Sequence, residues 1–182
     1  MRVIAGTARS LPLKTPKSMD TRPTTDRIKE TLFNILQPFI PDGIFIDLFS
    51  GSGGIGIEAL SRGARKSYFV EQDKESCECI VDNLKFTKFT DSGILLKQDV
   101  FSALYHIFEK EADIIFMDPP YGKDYEKKVL DALKDVKYVT DNTIIVIEAD
   151  RHTDFSYVKE MGFEIFKQKV YKTNQHVFLR RR

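Results

Sequence analysis

The chain has 182 residues, 42% of them hydrophobic and 30% charged, with a formal net charge of +1. That is room for one sizeable core and too little for a cofactor domain plus a separate substrate domain. No segment has the apolar length needed to cross a bilayer, and the first twenty residues lack an apolar run with a small-residue cleavage site, so a cytoplasmic protein with no membrane partner is expected. The charge is unevenly spread: residues 1–36 hold seven Lys or Arg against three acids, and residues 167–182 hold six against none. Basic ends on an acidic body suggest that both termini face a polyanion.

The N-terminal stretch offers two short strands, Arg2 to Ala5 and Ser10 to Leu13, around Gly6. A helix follows, capped by Thr24, Thr25 or Asp26, with Ile28, Leu32, Ile35 and Leu36 as its apolar face. From residue 43 strands and helices alternate. Strands are expected at Ile44 to Phe49, Ser67 to Glu71, Ile94 to Lys97, Ala112 to Met117 and Thr143 to Ile147, and helices at Gly54 to Arg62, Lys74 to Lys85, Phe101 to Glu109 and Tyr125 to Lys134. Nearly continuous apolar strands separated by helices imply a doubly wound, mostly parallel α/β sheet. A helix near Phe155 to Met161 comes next. Two period-two runs, Phe163 to Tyr171 and His176 to Leu179, then read as an antiparallel hairpin at one sheet edge. The division expected is residues 1–40 as a basic appendage and 41–182 as the catalytic domain. Cys77 and Cys79 point to different helix faces and suit neither a disulfide nor zinc, and no metal site is expected.

Gly51-Ser52-Gly53-Gly54-Ile55-Gly56 matches G-x-G-x-x-G between a strand and a helix, with Glu71 at the end of the next strand as a ribose-hydroxyl acceptor. The loop alone serves a dinucleotide as well as S-adenosylmethionine. Asp47 separates the two, since a carboxylate beside the turn repels a pyrophosphate and attracts an ammonium and a sulfonium. Asp99 can accept from an adenine amino group and Phe101 can pack on the ring; the plainer readings are a strand-end cap and a core residue. The candidate cofactor set is therefore Asp47, Phe49, Gly51, Ser52, Gly53, Gly56, Glu71, Asp99, Val100 and Phe101.

Asp118-Pro119-Pro120-Tyr121 follows the apolar run Ile114 to Met117, where a buried strand breaks into a loop. An exocyclic amino group on a nucleobase is a poor nucleophile. It reacts only when acceptors hold its hydrogens and aim its lone pair at the methyl donor. The Asp118 carboxylate and Pro119 carbonyl are such acceptors, consecutive prolines stiffen the turn without adding donors, and Tyr121 offers a face for an extruded base. An ordinary proline turn is the plainer reading of the tetrapeptide.

The run from Asp47 to Gly63, Asp118 to Tyr121, Thr21-Arg-Pro-Thr-Thr-Asp-Arg27 and the opening Met1 to Gly6 together resemble the bacterial 16S ribosomal RNA guanine-N2 methyltransferase (RsmD-like) family over nearly the whole chain. The resemblance implies a class I, seven-stranded Rossmann-like fold, S-adenosylmethionine as cofactor, and a guanine amino group of small-subunit RNA as methyl acceptor, within a small-subunit particle and by a monomer. Arg2, Arg9, Arg22, Thr24 and Arg27, with the tail Arg180 to Arg182, are the candidate RNA contacts. Relatives often carry a Gly-Arg pair in the first hairpin where this chain has Ala8-Arg9-Ser10. Two alternatives stay open. A DNA adenine or cytosine amino methyltransferase would use the same tetrapeptide but usually has a larger recognition region. A non-catalytic RNA-binding module would have no need of Asp47, Glu71 and Asp118 at strand ends. A small dehydrogenase comes last, for want of a Tyr-x-x-x-Lys or a placed histidine; His106, His152 and His176 receive no role.

Overall fold

The computed structural model describes residues 1–17, 25–120 and 122–182, so Arg22, Thr24 and Tyr121 lie outside the described residues. Thr25 caps the first helix, α1 (Asp26–Leu36), by accepting from the Ile28 amide. The strands are β1 (Ile44–Asp47), β2 (Lys66–Glu71), β3 (Gly93–Lys97), β4 (Ile114–Met117), β5 (Ile144–Asp150), β6 (Phe163–Val170) and β7 (Asn174–Arg181). Between them run α2 (Gly54–Ser61), α3 (Lys74–Thr87), α4 (Val100–Leu104) and α5 (Tyr125–Leu133). They form one seven-stranded sheet in the order β3-β2-β1-β4-β5-β7-β6. The first five strands are parallel, while β7 pairs antiparallel with both β5 and β6.

The period of two sorts the strands onto two buried faces. Ile44 and Ile46, Ile115 and Met117, Ile145 and Ile147, and Val177 and Leu179 meet α4 and α5 on one side. Phe45, Ile114, Phe116, Val146 and Phe178 meet Leu32, Phe33 and Leu36 of α1 on the other. Val3, Ala8 and Leu13 join Ile57, Leu60, Phe69, Ile80 and Leu84 in a third cluster, which ties the N-terminal segment to α2 and α3.

Several sequence expectations need correcting. The N-terminal strands reduce to a single antiparallel bridge, Arg2 with Pro12, flanked by tight turns. On α1 the buried residues are Lys29, Leu32, Phe33 and Leu36, and Ile28 and Ile35 are only half-buried. The helix is rotated so that Phe33 stacks on Phe45 and a lysine lies inside. The helix expected from Phe101 to Glu109 closes at Leu104, since the amides of Tyr105 and His106 bond back three residues, turning Ile107 into the core and leaving Phe108 exposed. The segment at 155–161 forms only a 3-10 turn, Ser156–Lys159. β5 runs on to Asp150, because its far end pairs with Asn174, Gln175 and His176.

Candidate active site

A strand order that reverses beside the first strand leaves a crevice at the carboxyl ends of the strands on either side. Here β2 and β3 extend from β1 in one direction and β4 and β5 in the other. The C-terminal ends of β1 and β4 open into a cavity of about 770 Å³. Its wall brings together Asp47, Phe49, Gly51, Ser52, Glu71, Asp99, Val100 and Phe101 with Asp118, Pro119 and Pro120. Gly53 and Gly56 stand in the same loop and helix without lining it.

Those two glycines show why the loop has its composition. Gly53 precedes α2 with φ of 82°, in the left-handed region. A Cβ on Gly56 would come within 2.4 Å of the Phe69 ring and 2.7 Å of Ser67 Oγ, so α2 packs this close to β2 only with hydrogen there. Glu71 braces the loop: Oε2 accepts from the Gly51 amide at 2.8 Å, and Oε1 from the amides of Gln72 and Asp73. Asp99 caps α4, accepting from the amide and hydroxyl of Ser102. Both residues line the cavity and keep acceptor capacity beyond these bonds. Phe101 is partly buried, and its ring lies 6.2 Å from Tyr125, which meets Phe49 edge-on at 5.7 Å. Tyr125 also lines the cavity and was read in the sequence only as the start of a helix.

Asp47 is 1% exposed, and neither of its carboxylate oxygens has a hydrogen-bond partner. Burial pushes its carboxyl up to about 7. The nearby amides of Gly56 and Phe49 offset this only in part, without closing hydrogen bonds, and Glu71 adds repulsion. An orphaned buried carboxylate is costly unless a cation or donor meets it. The ammonium and sulfonium of S-adenosylmethionine are of that kind, and the glycine loop, Glu71 and the aromatic trio fit its adenosine.

Asp118 follows β4 directly, and burial raises its carboxyl to about 8, with Glu148, Asp47 and Glu126 adding repulsion. Glu148 lines the same cavity, since Met117 of β4 pairs with Ile147 of β5 and each acid is the next residue along its chain. Glu148 in turn is the register partner of His176 on β7 and accepts from its Nε2 at 2.9 Å, with Asn174 Nδ2 bonded to the other oxygen. Asp118 just past β4, Glu148 on β5 and His176 on β7 thus form a row on the α1 side. The sequence reading missed Glu148 and gave His176 no role; the available signal was an acid that follows an apolar run, as Asp118 does.

A buried ionic cluster fixes the N-terminal segment over this crevice. Glu58, fully buried on α2, accepts from Lys29 Nζ at 3.2 Å and Arg62 Nε at 2.8 Å, and from the amides of Ile4 and Ala5. Lys29 Nζ also donates to the Arg2 carbonyl at 2.6 Å, and burial lowers its ammonium below the usual lysine range. At Gly6, with φ of 82°, a Cβ would fall 1.8 Å from the Ser61 carbonyl oxygen. Met1 and Lys29 therefore reach the cavity wall.

Arg2, Arg9 and Arg27 are all exposed, and the Arg2 side chain pairs with Asp26 at the surface. The C-terminal arginines are partly engaged elsewhere. Arg180 pairs with Glu164, and Arg181 donates to the Leu133 and Lys134 carbonyls at the end of α5. Among the described residues no group of three or more His, Cys, Asp or Glu is placed to hold a metal ion, and no helix is long and apolar enough to cross a membrane.

The family described as Conserved hypothetical protein 95 matches residues 1–180. The Bacillus subtilis protein YlbH is 37% identical over 156 residues, covering 85% of each chain. Ribosomal RNA small subunit methyltransferase D of Escherichia coli K12 is 34% identical over 152 residues, covering 82% of this chain and 75% of that one. The solved structure of yhhF from Escherichia coli superposes with a TM-score of 0.86 at 30% identity, over 100% of this chain and 97% of the other. The chain belongs to the Conserved hypothetical protein 95 family and is a methyltransferase that draws its methyl group from S-adenosylmethionine.

Proposed function

We propose that the protein methylates the exocyclic N2 amino group of a guanine in 16S, small-subunit ribosomal RNA, as a cytoplasmic monomer acting on a small-subunit particle. The relatives' names support the RNA. The observation that carries the chemistry is the juxtaposition of Asp47 and Asp118 in one crevice, a cation-seeking carboxylate beside a second one that follows a buried strand and precedes two prolines. Residues 41–182 form the catalytic part. Residues 1–40 bring Arg2, Arg9 and Arg27 to the surface, where phosphates can meet them.

Bound in this cavity, S-adenosylmethionine would supply an electrophilic methyl carbon carried on a sulfonium whose thioether is the leaving group. Asp47 and Glu71 hold the two ends of the cofactor pocket, and Phe49, Phe101 and Tyr125 enclose its apolar side. Asp118 accepts one amino hydrogen, aims the nitrogen lone pair into the crevice, and offsets the positive charge that develops on nitrogen. The Pro119 carbonyl takes the second hydrogen. Tyr121 supplies the stacking face. Asp118 must be ionised for this, and a cation bound beside Asp47 draws its carboxyl down from about 8.

Labelled S-adenosylmethionine incubated with small subunits that lack the modification, with naked ribosomal RNA and with duplex DNA tests the reading. Label should enter small-subunit RNA as N2-methylguanosine. Label only in DNA, or in adenine or cytosine, would replace it with the DNA amino methyltransferase alternative.

A further inference from the structure

We propose that Glu148, positioned by His176 and Asn174, selects guanine by accepting the ring N1–H beside the amino group that Asp118 holds. The inference rests on the function proposed above and names the residue that makes the site specific. Of the three nucleobases with an exocyclic amino group, only guanine carries an N–H donor next to it. Adenine places the N1 lone pair there and cytosine the N3 lone pair. A pair of acceptors side by side matches the guanine edge and sets acceptor against acceptor for the other two.

The structure supplies that pair. Asp118 and Glu148 follow Met117 and Ile147, which are register partners, and both residues line the cavity. Glu148 is 5% exposed and held at both oxygens. His176 Nε2 donates to one oxygen at 2.9 Å and Asn174 Nδ2 to the other, which leaves further lone pairs on each. The imidazole is itself enclosed by Tyr171, Phe116 and Phe178, with ring centroids 5.3, 6.4 and 6.5 Å away, all edge-on.

A purely structural purpose accounts poorly for this arrangement. Glu148, Asn174 and His176 are almost fully buried, yet His176 Nδ1, Asn174 Oδ1 and the buried hydroxyl of half-buried Tyr171 have no partner, and each unpaired buried polar atom costs about 1–3 kcal/mol. An apolar trio at these positions would stabilise the sheet better. Retaining a rigidly aimed acceptor beside Asp118 has a reason if a ligand N–H meets it.

The test locates the methylated guanine by mass spectrometry in a small-subunit RNA and replaces it with 2-aminopurine, which keeps the 2-amino group and has a lone pair in place of N1–H. Wild type should prefer guanine by roughly a hundred-fold or more in kcat/KM, since a site built for an N–H rejects the analogue that lacks it. In E148Q the side-chain amide can donate to that lone pair, so the preference should fall below about ten-fold while S-adenosylmethionine binding stays as in wild type. If E148Q does not fold, E148D takes its place: withdrawing the acceptor by one methylene should slow guanine turnover and leave 2-aminopurine turnover unchanged. Equal wild-type rates on both substrates overturn the proposal. So does an E148Q preference equal to that of wild type, which would assign discrimination to another contact such as O6. Wild type that methylates no guanine at all would instead remove the proposed function itself.

Discussion

Asp47 and Asp118 set a conflict between folding and activity at the scale of single residues. In the folded chain Asp47 holds its proton up to about pH 7, whereas an unfolded aspartate releases it near 4. The folded state therefore binds more protons between those values. Its stability is greatest below the unfolded pKa and is lost as pH rises through the folded one. Asp47→Asn should make the cofactor-free protein more stable than wild type by an amount that grows from pH 5 to pH 8, reaching on the order of a few kcal/mol, and should weaken S-adenosylmethionine binding. Thermal unfolding at several pH values and calorimetric titration would check both; equal pH dependence in the two proteins would show that Asp47 is not the group responsible. For Asp118 the sign bears on rate. With its carboxyl raised to about 8 and ionisation required, kcat/KM should climb with pH through the neutral range, and Asp118→Ala should lower kcat by a factor on the order of a hundred or more with cofactor affinity nearly unchanged.

Individual elements explain how much of this was legible beforehand. The central strands β1, β4 and β5 announced themselves because each is buried on both faces over nearly all its length and so reads as an apolar run, whereas β3 at the sheet edge is only half-buried; the glycine loop did so because close helix–strand contact at Gly56 admits no side chain. What escaped was nonlocal pairing. Lys29 is not among the apolar positions that mark the helix face in sequence, and nothing nearby in sequence reveals that Glu58, 29 positions on, takes it into the core. His176 had no apparent use because its partner Glu148 lies 28 residues earlier. The α4 helix ended early because Ile107 had a core position to reach. The Lys29, Glu58 and Arg62 cluster also predicts a mutational outcome. Glu58→Ala strands two cations and releases the Ile4 and Ala5 amides, so it should cost about 3–5 kcal/mol. Hydrogen exchange at those two amides should rise more than at the β4 amides; uniform protection would mean that the N-terminal segment is held by its apolar contacts alone.

Over the whole molecule, charge is divided between groups that hold the fold and groups left for a partner. The Arg2–Asp26 pair lies at the surface, where such pairs contribute little, and Arg9 and Arg27 are exposed. RNA affinity should fall steeply with salt, and Arg9→Ala and Arg27→Ala should each reduce the slope of log affinity against log salt by roughly 0.7 to 0.9. Arg181→Ala should instead lower the melting temperature, since that side chain satisfies carbonyls at the end of α5. Filter binding across a salt series separates the two classes, and a slope unchanged by Arg9→Ala or Arg27→Ala would make those residues solvated surface. The position of β7 bears on how the chain reaches this state. It follows β6 in sequence yet lies inside it, against β5, so during synthesis β5 is left with a bare, apolar pairing edge until the last sheet strand has emerged, and β6 cannot dock ahead of it. Such an open edge invites association with other nascent chains. Because His176 and Asn174 arrive on that same strand, a partly made chain can already assemble the glycine loop but leaves Glu148 without the two donors that position it until the sheet closes.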